Sequence, residues 1–195
     1  MRRSLRLRCT APLASVIALL AAGCASSAGS APQETVSVTP NNVRIETPTG
    51  DVEAHTVAED RSVTQTIKAS PEAAWAKLPA VYTELQLPVS GYIDQSRQIM
   101  AKGVRVRGHL GKLRVSQIVT CGTDITGDDK ANTYEVTLDV ASAISPAEGG
   151  QANVHSMVIA NARPMAVSGD PVRCVTTGSL ERRIATMVLI KTATP

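Results

Sequence analysis

The clearest alternation of apolar and polar positions runs from Thr133 to Val140. Tyr134, Val136, Leu138 and Val140 fall on one side, and Thr133, Glu135, Thr137 and Asp139 on the other. A period of two marks a half-buried strand. Ser145-Pro146-Ala147-Glu148-Gly149-Gly150 breaks it, and Val154 to Ile159 is the expected return strand of an antiparallel hairpin. Met157 and Ile159 lie opposite Val154 and Val158, so both faces of that strand should be partly covered. Upstream, Val104 and Val106 alternate with Arg105 and Arg107, and Gly108 and Gly111 mark a bend before a further strand through Leu113, Val115 and Ile118. Residues 61–68, with Val63 and Ile67 among threonines, form another strand, and Val172 to Thr176 a last short one.

Two stretches carry the helical period instead. Ser70-Pro71-Glu72 is a start signal: the serine caps, the proline fits the first turn, and the glutamate faces the positive end of the dipole. Ala74, Leu78, Val81, Tyr82 and Leu85 then recur at three-and-four spacing, with Trp75 at the margin of the stripe. Pro79 should kink this helix or divide it, and Pro88 should end it. The closing helix spans residues 179–191, with Leu180, Ile184, Met187 and Val188 on its apolar side. Residues 36–60 contain short alternations separated by Pro40-Asn41-Asn42 and Pro48-Thr49-Gly50. They are read either as an edge hairpin or as an N-terminal extension of the α+β domain at 61–195.

The N-terminal segment has a different pattern. Arg2, Arg3, Arg6 and Arg8 precede an apolar run from Ala11 to Ala22, which ends in Ala21-Ala22-Gly23-Cys24. A bilayer-spanning helix needs roughly 20 apolar residues, so a run of about a dozen with basic flanks matches a secretory signal segment, residues 1–23. The small residues before Cys24 resemble the lipobox of bacterial lipoproteins, with Ala21 where that family usually has leucine. The resemblance implies diacylglyceryl modification of Cys24, which becomes the new N-terminus. Ordinary secretion with nearby cleavage and an uncleaved anchor are the alternatives. Residues 24–35 then comprise the lipidated cysteine and a flexible tether, whose Ala25 to Pro32 portion reaches about 25 Å when extended. In a two-membrane bacterium the resemblance implies the periplasmic face of the outer membrane, because Ala25 is not the aspartate that retains such proteins inside.

Processing changes both the charge and the cysteine count. Four of the 20 basic residues and none of the 17 acidic ones precede Cys24, so the mature chain carries 16 against 17. Its near-neutrality gives no reason to expect nucleic acid. With no Phe, and only Trp75, Tyr82, Tyr92 and Tyr134 as aromatics, the core is aliphatic and stacking platforms are scarce. Cys9 is discarded and Cys24 modified, which leaves Cys121 and Cys174 to pair in an oxidising compartment.

The order of strand, Pro-kinked helix, antiparallel strands and terminal helix resembles the helix-grip arrangement of START and Bet v 1 domains. Its opening is matched by Val63 to Leu78, including Ser70-Pro71-Glu72-Ala73-Ala74-Trp75. The similarity covers about residues 61–192, with a last helix shorter than usual. It implies an α+β fold, a curved antiparallel sheet around a helix, often with an apolar cavity. It implies no catalytic residues, and the same fold occurs in a lipoprotein of outer-membrane assembly.

Chemical candidates are few. His55, His109 and His155 are far apart, without a nucleophile elbow, a metalloprotease helix or a phosphate loop. Asp124, Asp128 and Asp129 around Gly127 lack the spacing of a helix-loop-helix calcium site and read as a solvated turn. Neither a cofactor nor a metal is expected, and no catalytic residue is assigned. Arg97, Lys102, Arg105, Arg107, Lys112 and Arg114 occur in a stretch without an acidic residue. This is either an ordinary solvated sheet face or a basic surface for an anionic lipid headgroup or an acidic envelope partner. Together these readings give a membrane-anchored, non-enzymatic assembly or interaction module, or alternatively a carrier of lipid or another small apolar ligand.

Overall fold

The computed structural model describes residues 33–47, 50–124, 126–165 and 170–194. Cys24, the signal segment and the Ala25 to Pro32 tether lie outside them. The strands are β1 (Gln33–Thr47), β2 (Gly50–Ile67), β3 (Gly91–Ile93), β4 (Gln98–Arg107), β5 (His109–Leu110), β6 (Leu113–Arg114), β7 (Val119–Thr120), β8 (Glu135–Pro146), β9 (Ala152–Arg163) and β10 (Val172–Thr176). The helices are α1 (Pro71–Glu84), α2 (Val115–Ile118), α3 (Lys130–Thr133) and α4 (Ser179–Ala193).

The strand order β1-β2-β9-β8-β4-β5-β6 is antiparallel throughout its described pairings. Its centre is the predicted hairpin, with β8 and β9 in unbroken register from Glu135↔Arg163 to Pro146↔Ala152. Beyond Met157, β9 leaves β2 and pairs instead with β10, from Ala160↔Cys174 to Ala162↔Val172. Residues 33–67 form a hairpin in which Gln33 faces Thr64 and Thr47 faces Gly50, and β2 joins the sheet through Ser62 to Ile67.

One face of this sheet carries α1 and α4, which also pack against each other. Ser70 Oγ accepts from Ala73 N at 3.2 Å, the predicted cap, and Leu78, Val81 and Tyr82 are fully buried beneath α1. The helix is not divided at Pro79: it remains one element through Glu84. The proline withholds a single backbone donor, while buried side chains on both sides of it hold the helix to the sheet. Termination occurs at Leu85, followed by left-handed Gln86 (φ 58°), rather than at Pro88. Residues 115–118 are a helical turn rather than strand. Val115 and Ile118, three positions apart, both point into the core, and Gln117 Oε1 accepts from Arg114 N at 3.1 Å. Residues 130–133 are likewise helical, capped by Asp129, so the best strand begins at Glu135 and not at Thr133.

In α4, Leu180, Ile184, Met187 and Val188 are buried as the stripe requires. The first turn also buries Glu181, whose Oε1 accepts from Thr176 Oγ1 at 2.8 Å and whose Oε2 has no hydrogen-bond partner. Burial raises its pKa above the usual carboxylate range, against lowering by its own backbone N–H, Thr176 and Arg182, while the Glu34 charge adds to the rise. A raised folded-state pKa makes the stabilising contribution greatest below the ordinary carboxylate pKa and loses it as pH rises through the folded value. Glu181→Gln should therefore raise the melting temperature at neutral pH. That advantage should shrink as pH falls below the carboxylate range, and parallel thermal melts across acidic pH check it.

Candidate functional site: the open face of the sheet

The face opposite α1 and α4 is built from odd-numbered positions of β8 and β9. Along β8, Val136, Leu138 and Val140 point to the helices, while Glu135, Thr137 and Asp139 point away. Along β9, Ala160 and Ala162 point inward, and Ile159, Asn161 and Arg163 outward. In β4, Val104 and Val106 are buried and Arg105 and Arg107 exposed, as their alternation predicts.

Register turns these positions into rows. Arg107 pairs with Glu135, which pairs with Arg163. In the next row Arg105 faces Thr137, Thr137 faces Asn161, and Asn161 faces Arg173 of β10. Four arginines thus frame Thr137 and Asn161, with Glu135 between two of them. Arg107 grips Glu135 through Nε at 3.0 Å and Nη2 at 2.7 Å. These hydrogen bonds hold the Glu135 carboxyl below its ordinary pKa, helped by the charges of Arg107, Arg105 and Arg163. Among the described residues, Arg105 and Arg163 hydrogen-bond no side chain. Such a frame suits phosphate or carboxylate oxygens, because each guanidinium offers a planar fork of donors.

Farther along the same face the chemistry becomes apolar. Met100, Ala141, Ala143, His155 and Met157 surround a shallow depression of about 180 Å³, deepened by the two alanines. Met157 and Ile159 are half-buried, matching the expectation that both faces of β9 are partly covered. His155 Nδ1 lies 2.8 Å from Thr64 Oγ1 across the β2–β9 pairing.

The structure separates the six basic residues singled out from sequence. Arg105 and Arg107 are outward neighbours, and Lys102 lies on the same strand at the bulge between Ala101 and Val104. Arg97 instead turns to Glu72, with Nη2 to Oε1 at 2.8 Å. Lys112 follows β5 and Arg114 ends β6, with Arg114 facing the exposed His109. Arg163 and Arg173 were absent from the sequence-based set. Arg163 ends β9, beyond the return strand expected from Val154 to Ile159, and only the pairing of β9 with β8 and β10 reveals both as neighbours of Arg105 and Arg107.

The aspartates of the 124–130 turn serve the loop itself. Asp124 Oδ1 accepts from Thr126 Oγ1 at 2.6 Å, Thr126 N at 2.9 Å and Asp128 N at 3.0 Å, while Asp129 Oδ1 accepts from Ala131 N. The Thr126 hydrogen bond is the leading cause of the lowered Asp124 pKa. Among the described residues, no three His, Cys, Asp or Glu side chains form a metal-holding group.

Fold and site together define an α+β domain with one sheet face sealed by helices and the other open and partly cationic. No protein-family model and no curated protein matches the chain.

Proposed function

We propose that this chain is a lipid-anchored, non-enzymatic envelope protein whose domain acts as an assembly or interaction module through its open sheet face. The observation that carries the reading is the asymmetry of the sheet. On the helix side, Tyr82, Leu138, Ile184 and Val188 fill the interior and are each 0% exposed. That packing favours a contact surface over internal carriage of an apolar ligand. The opposite side presents arginines beside methionines, a combination suited to meeting another surface. The lipobox-like segment supplies the attachment, with Cys24 as the modified residue and the periplasmic face of the outer membrane as the location in a two-membrane bacterium.

The test uses the exported full chain. Its intact mass should correspond to a product beginning at Cys24 with added acyl mass, and Cys24→Ala should block processing and mislocalise the protein. Gentle crosslinking in the membrane should capture a specific membrane-protein partner, while solvent extraction should release no stoichiometric lipid beyond the covalent anchor. A chain beginning at Cys24 without acyl mass would defeat the anchor. A stoichiometric extracted lipid would shift the domain's role to carriage.

A further inference from the structure

We propose that Arg105, Arg107 and Arg163, flanked by Arg173, form a binding site for the phosphate groups of an anionic phospholipid surface. The inference rests on reading the open sheet face as the contact surface, and it names what the cationic end of that face contacts.

The cluster is assembled by register, since its members come from β4, β9 and β10. Strands stand about 4.8 Å apart, so Arg107 and Arg163 are roughly 10 Å apart across Glu135, and Arg105 and Arg173 roughly 14 Å apart across Thr137 and Asn161. Within these two rows Glu135 is the only acidic residue. Arg107 occupies it with two hydrogen bonds, while Arg105 and Arg163 retain their donors for an outside acceptor. Thr137 and Asn161 add neutral hydrogen-bonding groups between the cations.

The surroundings favour a membrane surface over an acidic peptide. A peptide captured by a sheet commonly adds along a strand edge. Here the middle of the site lies on β8 and β9, and β9 at Ala160 to Ala162 is already paired with both β8 and β10. What remains is a side-chain face, where arginines can meet several separate phosphates. Beside it, the half-buried Met100, Met157 and Ile159 offer apolar surface of the kind that upper acyl chains can meet. Lys102 is exposed at the bulge of β4, where Asp139 Oδ1 accepts from Gly103 N at 2.7 Å and marks the acidic limit of the arginine frame.

Calorimetric titration of the exported full chain in uncharged detergent tests the proposal. The probes are dihexanoyl phosphatidylglycerol, dihexanoyl phosphatidylcholine and an octaglutamate peptide. Phosphatidylglycerol should bind, its affinity should fall with added salt, and phosphatidylcholine should bind far more weakly. With each exposed basic group near an anionic surface contributing around fivefold, Arg105→Gln combined with Arg163→Gln should weaken binding about 20-fold at low salt. The corresponding double lysine variant should retain part of it, because charge survives and the planar fork does not. Glu135→Gln should tighten binding by removing the competing carboxylate, an effect that a purely structural role for these residues would not produce.

Equal binding of the two lipids would overturn the proposal, as would unchanged affinity in a double glutamine variant that melts like the parent. Tighter binding of octaglutamate than of phosphatidylglycerol would assign the site to an acidic protein instead. If the double variant fails to fold, Glu135→Gln decides, and absence of tightening counts against the site. Failure of the lipid titration with a membrane-protein partner still captured by crosslinking removes this inference alone. Failure of both removes the interaction reading of the open face as well.

Discussion

Removing the Cys121–Cys174 disulfide by the double substitution Cys121→Ala and Cys174→Ala should destabilise the domain by about 4 kcal/mol on the chain-entropy model. The bond closes a separation of 53 residues, and both cysteines are 4% exposed. It joins the segment after β7 to β10, beside a junction where Thr177 N donates to Ile118 O at 2.9 Å and Thr177 Oγ1 to Gln117 O at 2.6 Å. The two strands share the Val175↔Thr120 and Thr176↔Val119 pairs, and β10 adds three register positions with β9. Those hydrogen bonds are lost on unfolding, whereas the cross-link persists and restricts the unfolded chain, which is where its stabilisation arises. For a chain of this size, about 4 kcal/mol corresponds to a fall in melting temperature of roughly 10 °C. Thermal or urea melts of the disulfide-bonded protein and the double variant provide the measurement; a fall below 2 °C would contradict this role. Substitution is the better comparison than reductant, because the buried sulfurs require opening before a thiol can attack them.

That pairing was legible because the resemblance to a lipoprotein signal sets Cys9 and Cys24 aside and leaves two candidates, and other legible features were similarly local. The cap at Ser70, the α4 stripe and the β8–β9 alternation each depend on residues within one turn or one strand. The missed features have two physical origins. Residues 115–118 and 130–133 form single helical turns, too short to establish a period, and tertiary burial of Val115, Ile118 and Ala131 outweighs any local preference. Of the two expectations at Pro79, division does not occur, since the proline's cost is local while α1 is held along its length by the core. The arginine frame depends on long-range register. Arg105 and Arg173 lie in distant parts of the chain, yet occupy one row because Thr137 and Asn161 connect them through two intervening strands. The sequence showed the alternation of Arg105 and Arg107, but nothing in it specified that β10 would replace β2 beside the far end of β9.

Tyr82→Ala should destabilise the domain by about 3–5 kcal/mol, within the range for deleting a large buried aromatic side chain. Tyr82 is 0% exposed and links three elements: its hydroxyl donates to Ser142 Oγ of β8 at 2.9 Å, and Ser142 Oγ lies 2.8 Å from Ser156 Oγ of β9. Tyr82→Phe separates the ring from the hydroxyl and should cost about 1 kcal/mol at neutral pH, the usual net value of one buried hydrogen bond. The two variants also differ from the parent in alkaline solution. Burial pushes the Tyr82 pKa up to about 12, against a smaller lowering by the Ser142 hydrogen bond. Because the folded pKa exceeds the unfolded value of about 10, the associated stabilisation is complete below pH 10 and declines as pH rises toward 12, where only the unfolded chain has released its proton. The full difference amounts to about 3 kcal/mol. Phenylalanine carries no such proton, so the neutral-pH advantage of the parent over Tyr82→Phe should vanish and reverse by about pH 11.5. Urea melts of both proteins at pH 8, 10 and 11.5 isolate this effect from titration of the lysines and other tyrosines, which they share. A stability difference independent of pH would show that the Tyr82 hydroxyl does not remain protonated inside the fold.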